Sequence, residues 1–112
     1  MEEEDCVFCK IARKEIKAEI IEESENFIAI PDANPKTEGH SLIISKKHFI
    51  NILDVPVLSG NELLEMIKKV SLKYKQNFNI AVNTGKEAGQ AVMHFHLHIL
   101  PRKKGDGLYN LV

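Results

Sequence analysis

The stretch HFHLHILP, residues 94–101, constrains this chain more than any other. It holds three of the five histidines, on alternate positions, with Phe95, Leu97 and Ile99 interleaved. Successive side chains of a strand point to opposite faces. A strand here therefore sets His94, His96 and His98 on one face and the three apolar residues on the other, which is the natural core contact. Neighbouring imidazoles would stand roughly 6.6 Å apart along such a strand. Burying three cations is costly, so the histidine face should border a cleft, a metal or an anion.

The rest of the chain supplies a small scaffold for that strand. With 112 residues, 44% hydrophobic and 28% charged, it has the size and composition of one soluble domain, read here as residues 1–112. Residues 7–14 (VFCKIARK) read as a short helix. Residues 19–22, 26–30, 40–45, 78–82 and 93–100 read as strands. Leu63, Ile67, Val70 and Tyr74 form an apolar stripe, which predicts a long helix over residues 60–76 with Ser59 or Asn61 as its cap. Two turn-rich segments, DANPKTEG (32–39) and NTGKEAGQ (83–90), read as loops. The expected class is α+β: an antiparallel sheet of about five strands, one long helix and a short N-terminal helix.

Composition narrows the partners. A formal net charge of −1 gives no global field for nucleic acid or an anionic membrane. The apolar runs are too short to span a bilayer. The start of the sequence lacks the basic-then-apolar order of a secretory signal, so the expectation is a cytoplasmic protein. The acidic residues 2–5 read as a solvated tail.

Histidines in this pattern have three chemical uses. They can form a solvated face, they can bind zinc, or they can act on phosphorus. In the last case a neutral imidazole attacks, while a neighbouring imidazolium stabilises the developing charge or assists the leaving group. The glycines of NTGKEAGQ allow backbone amides to approach an anion closely, although an ordinary tight loop has the same composition. Asp32 follows Pro31 and suits either a turn or acceptance of hydrogen bonds from a diol. Cys6 and Cys9, in CVFC, suit a redox pair, half a zinc site or two core thiols.

The segment from Gly89 to Leu100, GQAVMHFHLHIL, resembles the signature of the histidine triad (HIT) superfamily. The blocks CVFCKI, IPD, GHSLIISKKH and NTG fall in the same order as similar blocks of that family. The closest resemblance is to the branch that hydrolyses nucleoside phosphoramidates. The resemblance implies nucleotidyl hydrolysis or transfer at an α-phosphate of a purine nucleotide or nucleotidyl conjugate, without a catalytic metal. It implies His96 as the nucleophile, His98 on the phosphate oxygens, His94 ordering the site, and His40 orienting a triad ring from behind. It implies Phe8, Ile11, Ile30 and Ala33 as the slot for the base and Asp32 on the ribose. Asn83, Gly89, Gln90 and Ala91 would line the phosphate and ribose region. Ala91 departs from members with serine or threonine there, and has no hydroxyl to offer a leaving group.

The same resemblance implies a closed, structural zinc site of Cys6, Cys9, His48 and His94, and a homodimer with a sheet continued across two subunits. The histidine at position 98 argues against the nucleotidyltransferase branch, which has glutamine there. Dinucleoside polyphosphate hydrolysis is the main alternative activity. A non-enzymatic module binding nucleotide or zinc is the alternative of another class.

Overall fold

A computed structural model describes residues 5–108. The expected acidic tail lies outside those residues except for Asp5, which is exposed. Five strands form one antiparallel sheet: β1 (Glu22–Glu23), β2 (Phe27–Pro31), β3 (Ser41–Ser45), β4 (Phe78–Ala81) and β5 (His96–Pro101), in the order β1-β2-β3-β5-β4. Helix α1 (Val7–Ala12) and helix α2 (Gly60–Leu72) complete the expected α+β architecture.

Strand alternation divides the core in two. Phe27, Ala29, Ile43, Leu97 and Ile99 face α2 and pack with its Met66 and Val70, and Phe95 joins this cluster from just before β5. Ile28, Ile30, Leu42 and Ile44 face the other way and pack with Phe8 of α1. Cross-strand pairing sets His96 opposite Ile44 and His98 opposite Leu42, so both imidazoles share the α1 face. Phe95, just before β5, and Leu97 and Ile99 within it thus anchor the strand from behind.

Several boundaries differ from the sequence reading, each for a physical reason. Helix α1 ends two residues early because Lys14 takes φ of 64°. Helix α2 stops at Leu72, and Lys75 has φ of 52°, so Tyr74 leaves the helix and meets Ser41 Oγ at 2.5 Å. Ser59 is the N-cap residue of α2, but its side chain makes no capping bond. The first strand shrinks to two edge residues. Strand β5 starts at His96, so His94 precedes the ladder rather than opening it. Short 3-10 turns at Ile52–Asp54, Val57–Ser59 and Lys86–Ala88 fall in segments without hydrophobic periodicity.

Glu62, in the first turn of α2, ties the helix to the hairpin below it. Its carboxylate accepts from Ser24 Oγ, the Asn26 backbone N–H and Asn26 Nδ2 at 2.5–2.8 Å. At the opposite end of the sheet Gly39 has φ of 90°, and a Cβ there would lie 2.8 Å from the Tyr74 ring. Glycine is required, and the turn it makes delivers His40 to the mouth of β3.

Candidate active site and metal cluster

Every histidine at the site has a partner that settles where its proton sits. His96 Nδ1 lies 2.8 Å from the His94 carbonyl, which only accepts. In the neutral ring the proton is therefore on Nδ1, and Nε2 keeps a lone pair that makes no hydrogen bond among the described residues. His40 Nδ1 accepts from the Lys36 backbone N–H at 3.0 Å, so neutral His40 carries its proton on Nε2. That nitrogen faces His98 Nδ1 at 3.0 Å. Two N–H groups cannot face each other there, so His98 Nδ1 accepts and its own proton is on Nε2. The result is a lone pair on His96 beside an N–H on His98, with ring centroids 5.1 Å apart.

The ring centroids sit closer than the even spacing of an ideal strand, with the rings turned 72° to one another. Burial holds His98 at about 4, well below the ordinary histidine value, and neighbouring His96 and His40 push the same way. Burial also lowers His40, against the pull of Asp32. His98 is thus a neutral N–H donor in the free protein, where the sequence reading allowed an imidazolium.

Asp32 serves the turn expected of it and also faces two histidines, a contact outside the sequence reading. Its Oδ1 accepts from the Asn34 N–H at 2.8 Å, which closes a turn after Pro31. Its Oδ2 lies 3.3 Å from His40 Nε2 and 4.0 Å from His98 Nδ1. The carboxylate is partly exposed at the rim of a cleft of about 540 Å³. Phe8, Ile11, Ile30, Asp32, Ala33 and Ala91 line this cleft, with His96 and His98 at its floor. Phe8 packs on His96 with centroids 5.2 Å apart. Leu42 and Val92 also line it and were absent from the sequence reading. Leu42 was within reach of strand alternation, being on the face opposite Ile43.

The remaining candidates lie beside the cleft. Asn83 lines a second, adjoining pocket and donates weakly to the Gly89 carbonyl at 3.4 Å. Gln90 is 4% exposed, with its amide turned inward. Its Nε2 donates to the carbonyls of Ile50 (2.6 Å) and Val92 (3.1 Å), and its Oε1 accepts from the Gly85 N–H (2.8 Å). Gly89 takes φ of 90° at the end of the same loop. Gln90 thereby clamps the loop whose backbone leads to Ala91.

A second cluster forms behind Phe8. Cys6 Sγ lies 3.3 Å from His94 Nδ1, Cys9 Sγ 3.2 Å from His48 Nδ1 and 3.5 Å from His94 Nδ1, and the two Nδ1 atoms 3.1 Å from each other. All four ligand atoms fall within 4.8 Å of one another. A tetrahedral zinc with Zn–S of about 2.3 Å and Zn–N of about 2.0–2.1 Å needs ligand separations of roughly 3.3–3.8 Å. His94 Nε2 donates to the Ser45 carbonyl at 2.7 Å, which leaves its Nδ1 lone pair for the cluster. Burial lowers His94 to about 4, so it is neutral as a ligand must be. The donor set, the spacing and the neutral His94 ring fit zinc. The short loop from Cys6 to α1 also carries the cap of that helix, since Cys6 Sγ accepts from the Cys9 N–H.

The sequence profile of the HIT domain matches residues 13–105. An uncharacterized HIT-like protein of Methanocaldococcus jannaschii is 38% identical over 109 residues, covering 91% of this chain and 82% of that one. The Adenylylsulfatase HINT3 of Arabidopsis thaliana is 39% identical over 110 residues, covering 94% of this chain but 56% of that protein. Among solved structures, a Zn-bound histidine triad family protein from Mycobacterium smegmatis superposes with a TM-score of 0.86 at 37% identity, covering 93% of this chain and 79% of that one. A HIT family hydrolase from Clostridium thermocellum gives 0.83 at 33% identity, covering 99% and 100%. Among the described residues, no helix is long and apolar enough to cross a membrane.

Proposed function

The chain belongs to the HIT family, and from that premise we propose that it is a nucleotidyl hydrolase acting at the α-phosphate of purine nucleoside phosphoramidates or related nucleotidyl conjugates. The observation that carries this reading is the pair of fixed tautomers: an unengaged lone pair on His96 Nε2 next to an N–H on His98 Nε2.

The base enters the apolar slot of Phe8, Ile11, Ile30 and Ala33, and Asp32 accepts from the ribose hydroxyls at the rim. His96 Nε2 attacks the α-phosphorus. An N–P bond forms, the bond from phosphorus to the leaving group breaks with its electron pair, and an amine leaving group takes up a proton from solvent at the open side of the cleft. His98 Nε2–H and the backbone N–H groups at Gly89 to Ala91 hold the phosphate oxygens, where developing negative charge strengthens each hydrogen bond. Asn83 supports this side, and Gln90 acts through the loop it clamps. Water then attacks the nucleotidyl-His96 intermediate, the N–P bond breaks, and the nucleoside monophosphate leaves. His40 and Asp32 hold His98 in the required tautomer from behind.

Zinc held by Cys6, Cys9, His48 and His94 has a structural role in this reading. Four protein donors close the coordination shell and leave no position for water or substrate. His94 therefore orders the site by its carbonyl rather than by acid–base chemistry. The chain works as a single HIT domain, cytoplasmic, in a homodimer. The edge strand β4 supports the dimer, since its Phe78 and Ile80 are 40% and 45% exposed on an unpaired edge.

The deciding experiment stops the reaction of a nucleoside phosphoramidate in acid-free quench and maps the nucleotidyl adduct by mass spectrometry. An adduct on His96 is expected. Turnover without any adduct on His96 would overturn the mechanism. Parallel rates on adenosine phosphoramidate and diadenosine polyphosphates separate the two candidate activities, the first being expected to be faster.

A further inference from the structure

A further pocket of about 370 Å³ adjoins the nucleoside cleft, between α1 and residues 14–20. Ile11, Ile16, Lys17 and Ala18 line both, so the two share a wall. Ile20 lines only the further pocket. Ile16 and Ile20 are 39% and 42% exposed, which leaves aliphatic surface uncovered beside the site.

The wall is built into the fold. Lys14 takes φ of 64°, and the Glu15 and Ile16 N–H groups both donate to the Lys10 carbonyl, at 2.9 and 3.4 Å. At the other end the Ile21 N–H donates to the Ala29 carbonyl at 2.8 Å. Residues 15–21 are therefore pinned to α1 on one side and to β2 on the other. Two of the charges at the pocket are paired: Lys14 with Glu23 at 3.1 Å, and Glu15 with Arg13 at 2.5 Å. Lys17 makes no ion pair among the described residues. The pocket thus offers an aliphatic floor and one free ammonium.

The position of the pocket says what reaches it. With the phosphate at His96 and His98 and the ribose at Asp32, a purine joined to the ribose through N9 directs its six-membered ring away from both. That ring points along the slot toward Ile11 and residues 16–18. A group carried on the C6 amine of the purine leaves the slot at the shared wall. We propose that Ile11, Ile16, Ala18 and Ile20 form a subsite for purine nucleotides extended on the C6 amine by an aryl or alkyl group. This rests on the α-phosphate reading above and names a substrate class within it. An aryl group there covers the exposed faces of Ile16 and Ile20 and presents its ring to the Lys17 ammonium. The adjoining strand β1 is the sheet edge opposite β4, so a partner subunit paired on β4 leaves the pocket open.

The test is calorimetry of the full chain with three ligands: AMP, AMP with a benzyl group on the C6 amine, and AMP with a benzylamino group at C8, on the ribose side of the base. Wild type is expected to bind the C6-amine derivative about tenfold more tightly than AMP, and the C8 derivative no more tightly than AMP. In Ile20→Asp the tenfold gain should vanish while AMP affinity stays within about twofold, because Ile20 does not line the nucleoside cleft. No gain in wild type, an equal gain from the C8 derivative, or a gain kept in Ile20→Asp overturns the subsite and leaves the nucleotidyl chemistry standing. Failure of wild type to bind AMP at all overturns the underlying reading instead. The wild-type comparison of the two derivatives decides the matter even where Ile20→Asp does not fold.

Discussion

His96 Nδ1 donates to the carbonyl oxygen of His94 across 2.8 Å. One residue thus serves two sites. The imidazole of His94 belongs to the Cys6, Cys9 and His48 cluster, while its carbonyl sets the tautomer of the proposed nucleophile. The alternation seen in the sequence put three rings on one face. The structure adds that the first ring is turned back and fully buried, and that its main chain does the positioning.

Replacing His96 by alanine is expected to lower kcat/KM by at least about 10³-fold on any nucleotidyl conjugate, as loss of a nucleophile does elsewhere. AMP affinity should change only a few-fold, because the base slot and Asp32 are untouched. Steady-state kinetics and calorimetry check this pair of outcomes. Full activity in His96→Ala would remove the covalent step.

His40 touches no cleft surface, yet its Nε2–H is what assigns the proton of His98. His40→Ala is expected to cost about 10–100-fold in kcat, the usual range for a partner that orients a functional histidine. A purely structural role would lower the melting temperature without disturbing His98. Nitrogen-15 chemical shifts of the imidazoles distinguish the cases: in the variant, the fixed Nε2–H form of His98 should give way to a mixture of tautomers.

Stability should fall as the solution is acidified. His98 titrates at about 4 in the folded protein, because burial disfavours its cation, against about 6.5 in an unfolded chain. Between those values the unfolded chain binds the extra proton, so the contribution is intact above about pH 6.5 and is lost on the way down to about pH 4. For the mostly buried His98 ring the loss reaches on the order of 3 kcal/mol at low pH. His40, lowered in the same direction, adds to it. Urea denaturation at several pH values checks the slope, with His98→Asn as the comparison; a His98→Asn profile as steep as wild type would refute the assignment.

The readable parts of this chain were those with a period. Leu97 and Ile99 between histidines announced β5, and Leu63, Ile67 and Val70 announced α2, because burial on one face leaves a repeat in the sequence. The base slot was legible through resemblance, and Phe8, Ile11, Ile30 and Ala33 do meet around one cleft. Loop positions left no such trace. The inward turn of Gln90 depends on the Ile50 carbonyl, forty residues away. The place of Lys36 depends on a backbone bond to the His40 ring, which no local pattern encodes. Strand β1 was misplaced for a related reason: Ile21 does hydrogen-bond to Ala29, but at the sheet edge the ladder keeps only Glu22 and Glu23.

The metal cluster yields the last prediction. Purified protein should contain about one zinc per chain, and Cys9→Ala should abolish it. Cys9 is fully buried, and the cluster joins three remote segments: the start of α1, His48 after β3, and His94 before β5. Chelation should therefore lower the melting temperature, since metal bound only by the folded form stabilises it. The loss should also reach the active site. With the metal gone, the His94 ring keeps its bonds to Ser45 but loses the ion that draws it to Cys6, Cys9 and His48, and the main-chain carbonyl facing His96 Nδ1 is less firmly placed. Below its melting temperature, chelated protein is expected to lose kcat about 10-fold or more while AMP still binds, and added zinc should restore both kcat and melting temperature. Metal-free protein with an unchanged melting temperature and unchanged kcat would show that the four side chains are ordinary core residues.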